Sequence, residues 1–260
     1  MIKKLLVASL LLSSRAFASF DEPECLKGNV DFWEAVYTQY DEDMAIVFET
    51  DSMDVVKIVT QLPAEPKARK RALKAIRSAY GDADVRVQTG IKTRFAEGLE
   101  RYAKYRNVVY AELRKQRLPL EIAALPHVES SYNPLARSKV GARGMWQVMP
   151  ATARLMGFSP KRLHEPAYST RVGVSILSTN FETLRSWPLA ITAYNHGLNG
   201  VQRAVRETGS TDICRIIASY DGPRFGVSSR NFYASFLAVL RILKARGLAD
   251  DGDRKDTGAR

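Results

Sequence analysis

The chain has 260 residues, 45% of them hydrophobic and 26% charged, which fits one sizeable globular domain with a smaller companion. No apolar run reaches the roughly 18 residues of a membrane span. The net charge of +11 predicts attraction to polyanions, but no zinc finger or RNP-type segment accompanies it, so nucleic acid is not the expected partner.

The first 18 residues read as a signal peptide. Lys3 and Lys4 precede the apolar run Leu5–Leu12, and Ala16-Phe17-Ala18 supplies a small-x-small cleavage site. No cysteine stands at the cut, so no lipid anchor is expected. An exported chain would be periplasmic or secreted, where disulfides form. Cys25 and Cys214 are the only cysteines. They form a possible disulfide, although sequence alone cannot measure their separation. His127, His164 and His196 are scattered. Neither they nor the cysteines give a metal-ligand pattern, and no cofactor is expected.

Residues 19–85 predict a small helical segment of unknown role. In VDFWEAVYTQY, Phe32, Val36 and Tyr40 share one helix face. PKARKRALKAIRSAY reads as a strongly basic helix, and Gly81 to Asp84 break the pattern. The boundary falls near residue 85. Residues 86–246 predict a larger helical domain. Phe95, Leu99, Tyr102, Val109 and Leu113 mark a long amphipathic helix over Lys92–Gln116. Pro119 opens a further helical stretch, LEIAAL. Later helices are expected at Pro150–Met156, Thr170–Leu184, Pro188–Tyr194, Gly200–Glu207 and Asn231–Ala245. Strand-like alternation is scarce. Residues 247–260 read as a disordered polar tail. The expected fold is mainly α, and the chain is expected to be a monomer.

Three short clusters carry candidate chemistry. They are Glu129-Ser130-Ser131-Tyr132-Asn133-Pro134, Gly144-Met145-Trp146-Gln147 with Met149-Pro150, and Ala193-Tyr194-Asn195. Singly, each reads as a cap, a loop or a helix end. In this order they resemble the soluble lytic transglycosylase domain, a relative of goose-type lysozyme. The resemblance runs from about Val87 to Leu243, through LPLEIAALPHVES, WPLAITAYNHG and FGVSSRNFYASFLAVL.

The resemblance implies a lysozyme-like helical domain with a groove for peptidoglycan glycan strands. It implies cleavage of the β-1,4 bond from N-acetylmuramic acid to N-acetylglucosamine, with a 1,6-anhydro product. Glu129 would be the catalytic acid and then base, its pKa raised by burial. Most glycosidases use two carboxylates, yet no Asp or Glu lies between Ser130 and Leu163. Ser138, Gln147, Met149, Tyr194 and Asn195 would form the substrate-binding set. Of these, Asn195 is expected mainly to hold its turn. Ser130 is expected to be structural, and Trp146 to pack behind the groove. Two alternatives stay open. One is a hydrolytic muramidase, which could act on glycan of altered N-acetylation. The other is a wall-binding protein without catalysis.

Overall fold

The computed structural model describes residues 20–80 and 84–249. The expected signal peptide, residues 81–83 of the expected break and the tail from residue 250 onward lie outside the described residues. The first helix, α1 (Lys27–Thr38), has two apolar faces. Val30 and Tyr37 pack into the main core, while Phe32 and Val36 pack into a smaller cluster with Ile46, Phe48 and Met53. Trp33 touches both cores. The helix is therefore a wedge between two hydrophobic clusters.

The smaller cluster belongs to a sheet, which adds three strands to the expected helical N-terminal segment. Strands β1 (Ala45–Glu49), β2 (Val55–Val59) and β3 (Val85–Thr89) pair antiparallel in the order β2-β1-β3. Ala45, Ile46, Val47 and Phe48 of β1 are all buried. A strand covered on both faces reads as a continuous apolar run, so period-2 alternation is hidden there. The boundary near residue 85 is also corrected, because β3 starts there and pairs with β1 across it. At the exit of β3, Gly90 lies against the Tyr40 and Asp41 carbonyls with no room for a side chain.

Between β2 and β3 runs α2 (Pro66–Ala79). Glu65 caps it by accepting from the Lys67 and Ala68 amides, and Pro66 sits at its first turn. None of its residues is fully buried.

The remaining helices form one core. They are α3 (Lys92–Gln116), α4 (Leu125–Ser130), α5 (Pro150–Leu155), α6 (Pro166–Leu184), α7 (Trp187–His196), α8 (Leu198–Thr208), α9 (Ile213–Ser219) and α10 (Val227–Ala245). The fold is mainly α. Helix α9 is an addition to the sequence reading, with Asp212 capping it through the Arg215 amide. Helix α10 is buried nearly all round and forms the spine against which α1, α4 and α7 pack. Gly247 ends it, but Leu248 and Ala249 of the expected disordered tail pack on the core.

Long-range ties hold α1 and the residues just before it to the larger domain. Cys25 and Cys214 form a disulfide with Cα atoms 6.0 Å apart. Arg241 of α10 donates to Asp31 at 2.6 Å, Glu34 at 2.8 Å and Glu22 at 2.5 Å. Asn231 Oδ1 accepts from Asn29 Nδ2 at 2.9 Å and from Trp33 Nε1 at 3.3 Å.

Candidate active site

Glu129 occupies the last turn of the short helix α4. The helix ends abruptly because Ser131 and Tyr132 both take left-handed conformations, with φ of 50° and 59°. Two successive non-glycine residues in that region cost about 1–2 kcal/mol each. Packing and hydrogen bonds hold them there. Tyr132 is fully buried and its hydroxyl donates to the Ala123 carbonyl at 2.5 Å. The Ser131 and Tyr132 amides return to His127 and Pro126. Ser130 Oγ donates to the Met145 carbonyl at 2.7 Å and accepts from the Asn133 amide at 3.1 Å. Asn133 Oδ1 accepts from the Leu135 amide at 2.9 Å. The polar residues around Glu129 in the first cluster thus shape the turn, and Glu129 itself faces the cleft.

The second cluster is a tight loop with bridges between Arg137 and Arg143 and between Arg143 and Val148. Ser138 Oγ accepts from the Ala142 amide at 3.0 Å. Gln147, at φ 44°, donates through Nε2 to the Gly144 carbonyl at 2.8 Å and the Ala136 carbonyl at 3.3 Å. Trp146 is completely buried, and its indole N–H donates to Thr170 at 3.1 Å. Gly173 of α6 makes room for that indole, which a Cβ there would strike. Met149 stays 38% exposed.

The third cluster joins the second. Tyr194 of α7 donates its hydroxyl proton to the Trp146 carbonyl at 2.7 Å. Asn195 Oδ1 accepts from Ser229 Oγ of α10 at 3.2 Å, and His196 Nδ1 lies 3.2 Å from the same hydroxyl.

A cleft of about 470 Å³ opens beside Glu129. Val128, Glu129 and Asn195 line one side, with Asn231 and Ser235 of α10 at its base. The N-terminal segment adds Trp33 and Tyr37 of α1, Phe48 of β1, and Arg86 and Gln88 of β3 to the lining. Ser138, Gln147, Met149 and Tyr194 are not among the residues that line this cleft. No second Asp or Glu lines it among the described residues. No three of the described His, Cys, Asp or Glu side chains gather to hold a metal ion.

The N-terminal wall escapes the motifs. Two signals for the cleft were nevertheless present in the sequence. Ser228, Asn231 and Ser235 form a polar stripe at three- and four-residue spacing on an otherwise apolar helix. Val85-Arg86-Val87-Gln88-Thr89 alternates like a strand. Nothing local marks Tyr37.

Burial raises the Glu129 carboxyl from an ordinary 4.5 to about 8. The group makes no hydrogen bond or ion pair with a described residue that would favour its charged form. Burial also raises the Tyr194 and Tyr37 hydroxyls, and the Glu129 charge adds to both shifts. Tyr37 Oη lies 2.6 Å from Ser235 Oγ. The Glu129 carboxyl therefore lies within electrostatic reach of both tyrosines.

Residues 106–217 match the family model of the transglycosylase SLT domain. The chain is 28% identical over 141 residues to membrane-bound lytic murein transglycosylase D of Escherichia coli (strain K12), which covers 52% of this chain and 30% of that protein. It is 35% identical over 81 residues to a transglycosylase of Enterobacteria phage PRD1, covering 31% of this chain and 30% of that protein. The chain thus spans about 30% of the length of these relatives. A solved complex of the 70-kDa soluble lytic transglycosylase with bulgecin A superposes with a TM-score of 0.50 at 17% identity, over 72% of this chain and 32% of that one. This likeness is one of fold. The SLT match begins within α3 and ends within α9, so α1, the sheet and the polar stripe of α10 fall outside it.

Proposed function

We propose that the chain is a peptidoglycan lytic transglycosylase that cleaves the β-1,4 bond from N-acetylmuramic acid to N-acetylglucosamine with one acid/base, Glu129. The observation that carries this reading is a lone cleft carboxyl raised to about 8, at the turn of a Glu-Ser-x-Tyr-Asn-Pro segment within the SLT domain. The relatives named as lytic murein transglycosylases support the substrate class.

At neutral pH the Glu129 carboxyl holds its proton. It donates that proton to the glycosidic oxygen as the bond to the muramyl anomeric carbon breaks and the leaving sugar departs neutral. The resulting carboxylate, in a poorly solvated site, is a competent base. It accepts the proton of the muramyl C6 hydroxyl as that oxygen attacks the anomeric carbon. A 1,6-anhydro ring closes and Glu129 is returned protonated. The Tyr194 hydroxyl hydrogen points to the Trp146 carbonyl, which leaves its oxygen lone pairs for the positive charge developing at the anomeric carbon. Asn195 presents its amide at the cleft. Ser138, Gln147 and Met149, on the adjoining loop, extend the groove along the strand.

Residues 1–18 direct export to the periplasm or the medium. The Cys25–Cys214 disulfide fits an oxidising compartment. The chain acts as a monomer, without a cofactor.

The test is incubation of residues 19–260 with purified sacculi, with soluble fragments read by mass spectrometry. Anhydro-muramyl ends that vanish in Glu129→Gln are expected. Reducing ends would replace this reading with a water-using muramidase. Wall binding without any fragment release would leave a binding protein.

A further inference from the structure

The last turn of α7 and the first turn of α10 meet at a buried hydroxyl. Ser229 of α10 is 4% exposed, and two consecutive side chains of α7 reach it. Asn195 Oδ1 accepts its proton at 3.2 Å, and His196 Nδ1 lies 3.2 Å away. Asn195 lines the cleft with Glu129, whereas His196 and Ser229 are not among the lining residues. Ser229 also lies beyond the residues that match the SLT model, so the contact ties α7 to a helix outside that match.

A hydroxyl has a single proton, so Ser229 can donate to only one of these neighbours. The choice decides what the cleft meets. With the proton given to His196, Asn195 has to turn its amide nitrogen toward Ser229 and show its oxygen to the cleft. With the proton given to Asn195 Oδ1, the amide N–H groups are left for the cleft, and His196 has to donate to Ser229 through Nδ1–H. The second arrangement is the one present.

The surroundings of His196 favour it. Phe225 packs edge-on against the imidazole, with centroids 5.0 Å apart and planes at 87°, which fixes the plane of the ring. Gly200 of α8 lies against the far edge, where a Cβ would stand 2.5 Å from Nε2. Arg203 follows three residues later on the same face of α8. Burial, and secondarily the Arg203 charge, hold the His196 pKa below its ordinary 6.5, so at neutral pH the ring has one N–H. A neighbouring cation favours the nitrogen lone pair that faces it, and the nitrogen on that side is Nε2. The hydrogen is therefore on Nδ1, where Ser229 accepts it.

We propose that His196 is a positioning residue that acts through Ser229 to hold Asn195 as a hydrogen-bond donor to the glycan. An exposed amide on its own turns over freely and offers a donor or an acceptor alike. Held by Ser229, it offers N–H alone, which suits a carbonyl, hydroxyl or ring oxygen of a sugar. Its ordering is also complete before the strand arrives, so binding does not have to supply it.

This inference rests on the glycan-cleaving reading for its ligand, but its first test needs no substrate. Nitrogen-15 NMR of the full chain, labelled at histidine, reads which ring nitrogen of His196 holds the proton, and His196→Asn identifies the signal by removing it. At neutral pH the proton is expected on Nδ1, and a proton on Nε2 overturns the relay. The second test is fragment release from soluble glycan at low concentration, which reads kcat/KM. His196→Leu should lower it about tenfold, the scale of one hydrogen bond. His196→Asn, which places an amide N–H near the position of Nδ1–H, should recover most of that loss. Equal losses in both variants, or no loss in His196→Leu, overturn the proposal. A parent chain that releases no fragment sinks the cleavage reading instead, and the position of the His196 proton still decides the relay.

Discussion

The two walls of the cleft are made in different ways. Behind the side that carries Glu129, polar side chains are engaged within the SLT-matching residues: Ser130 with Met145, Gln147 with Gly144 and Ala136, and Tyr194 with Trp146. That side is fixed within residues 106–217. The N-terminal wall has its own small core of Phe32, Val36, Ile46, Phe48 and Met53. It reaches the rest of the molecule through Cys25, the Arg241 cluster, Asn231 and the Tyr37–Ser235 contact. The difference teaches that Glu129 is supplied by one wall and desolvated by both. Its reactivity belongs to the assembled cleft, not to the motif.

Substitutions can break or sharpen that contrast. The largest effect is expected at the acid. Glu129→Gln should reduce fragment release from sacculi by about a thousandfold or more, the range for a lost acid/base, without loss of fold by circular dichroism. Replacing Cys25 and Cys214 with serine should cost about 3–4 kcal/mol in urea unfolding, given the long loop closed. Hydrogen exchange in that variant should rise first over 27–38, 45–49 and 85–89, while 125–130 stays protected. Uniform loosening of both walls would refute the contrast.

Next come two pH effects of opposite sign. Glu129 binds its proton more tightly folded, at about 8, than unfolded, at 4.5. Its contribution to stability is therefore lost as pH rises from about 4.5 through 8, and activity should fall over the upper part of that window. Partial contact with solvent at the cleft reduces the effect, so Glu129→Gln should be more stable than the parent by about 2 kcal/mol at pH 9.

His127, two residues away, behaves in reverse. Phe95, Tyr102 and Tyr132 enclose it, and neither ring nitrogen has a hydrogen-bond partner among the described residues. Burial, and secondarily Arg101, pull its pKa from 6.5 to about 3. Its contribution is lost as pH falls from 6.5 towards 3. Thermal unfolding of His127→Phe should show a flatter acid limb, by about 2 kcal/mol at pH 4. The smallest effect is Arg241→Gln, about 1 kcal/mol for a partly exposed ion cluster, read as a lower urea midpoint.

Much of the SLT wall was legible in the sequence. Its helices announce themselves through apolar periodicity, and α3 spans the range its pattern predicts. Glu129 could be singled out only through the resemblance carried by the three ordered clusters, because its turn holds Ser131 and Tyr132 at positive φ against their local preference. The sheet was not legible. Its strands are five residues long, and β1 hides its period by burying both faces. Tyr37 could not be found as a cleft residue either. Its role comes from Ser235 and Glu129, groups placed beside it by packing alone.

The ties of α1 and the residues just before it to α10 also set an order of events. Tyr37 meets Ser235 across 198 positions of sequence, and Glu22 meets Arg241 across 219. Closing such distant contacts is slow relative to local helix formation. A ribosome releases α1 early, yet the helix that receives it, at Val227–Ala245, emerges only after all the intervening helices. Until α10 is made, Glu129 has no Tyr37 or Trp33 beside it and behaves as an ordinary ionised carboxylate. A nascent chain therefore carries the motif without the acid, and the reactive group comes into being only when the two ends of the fold meet.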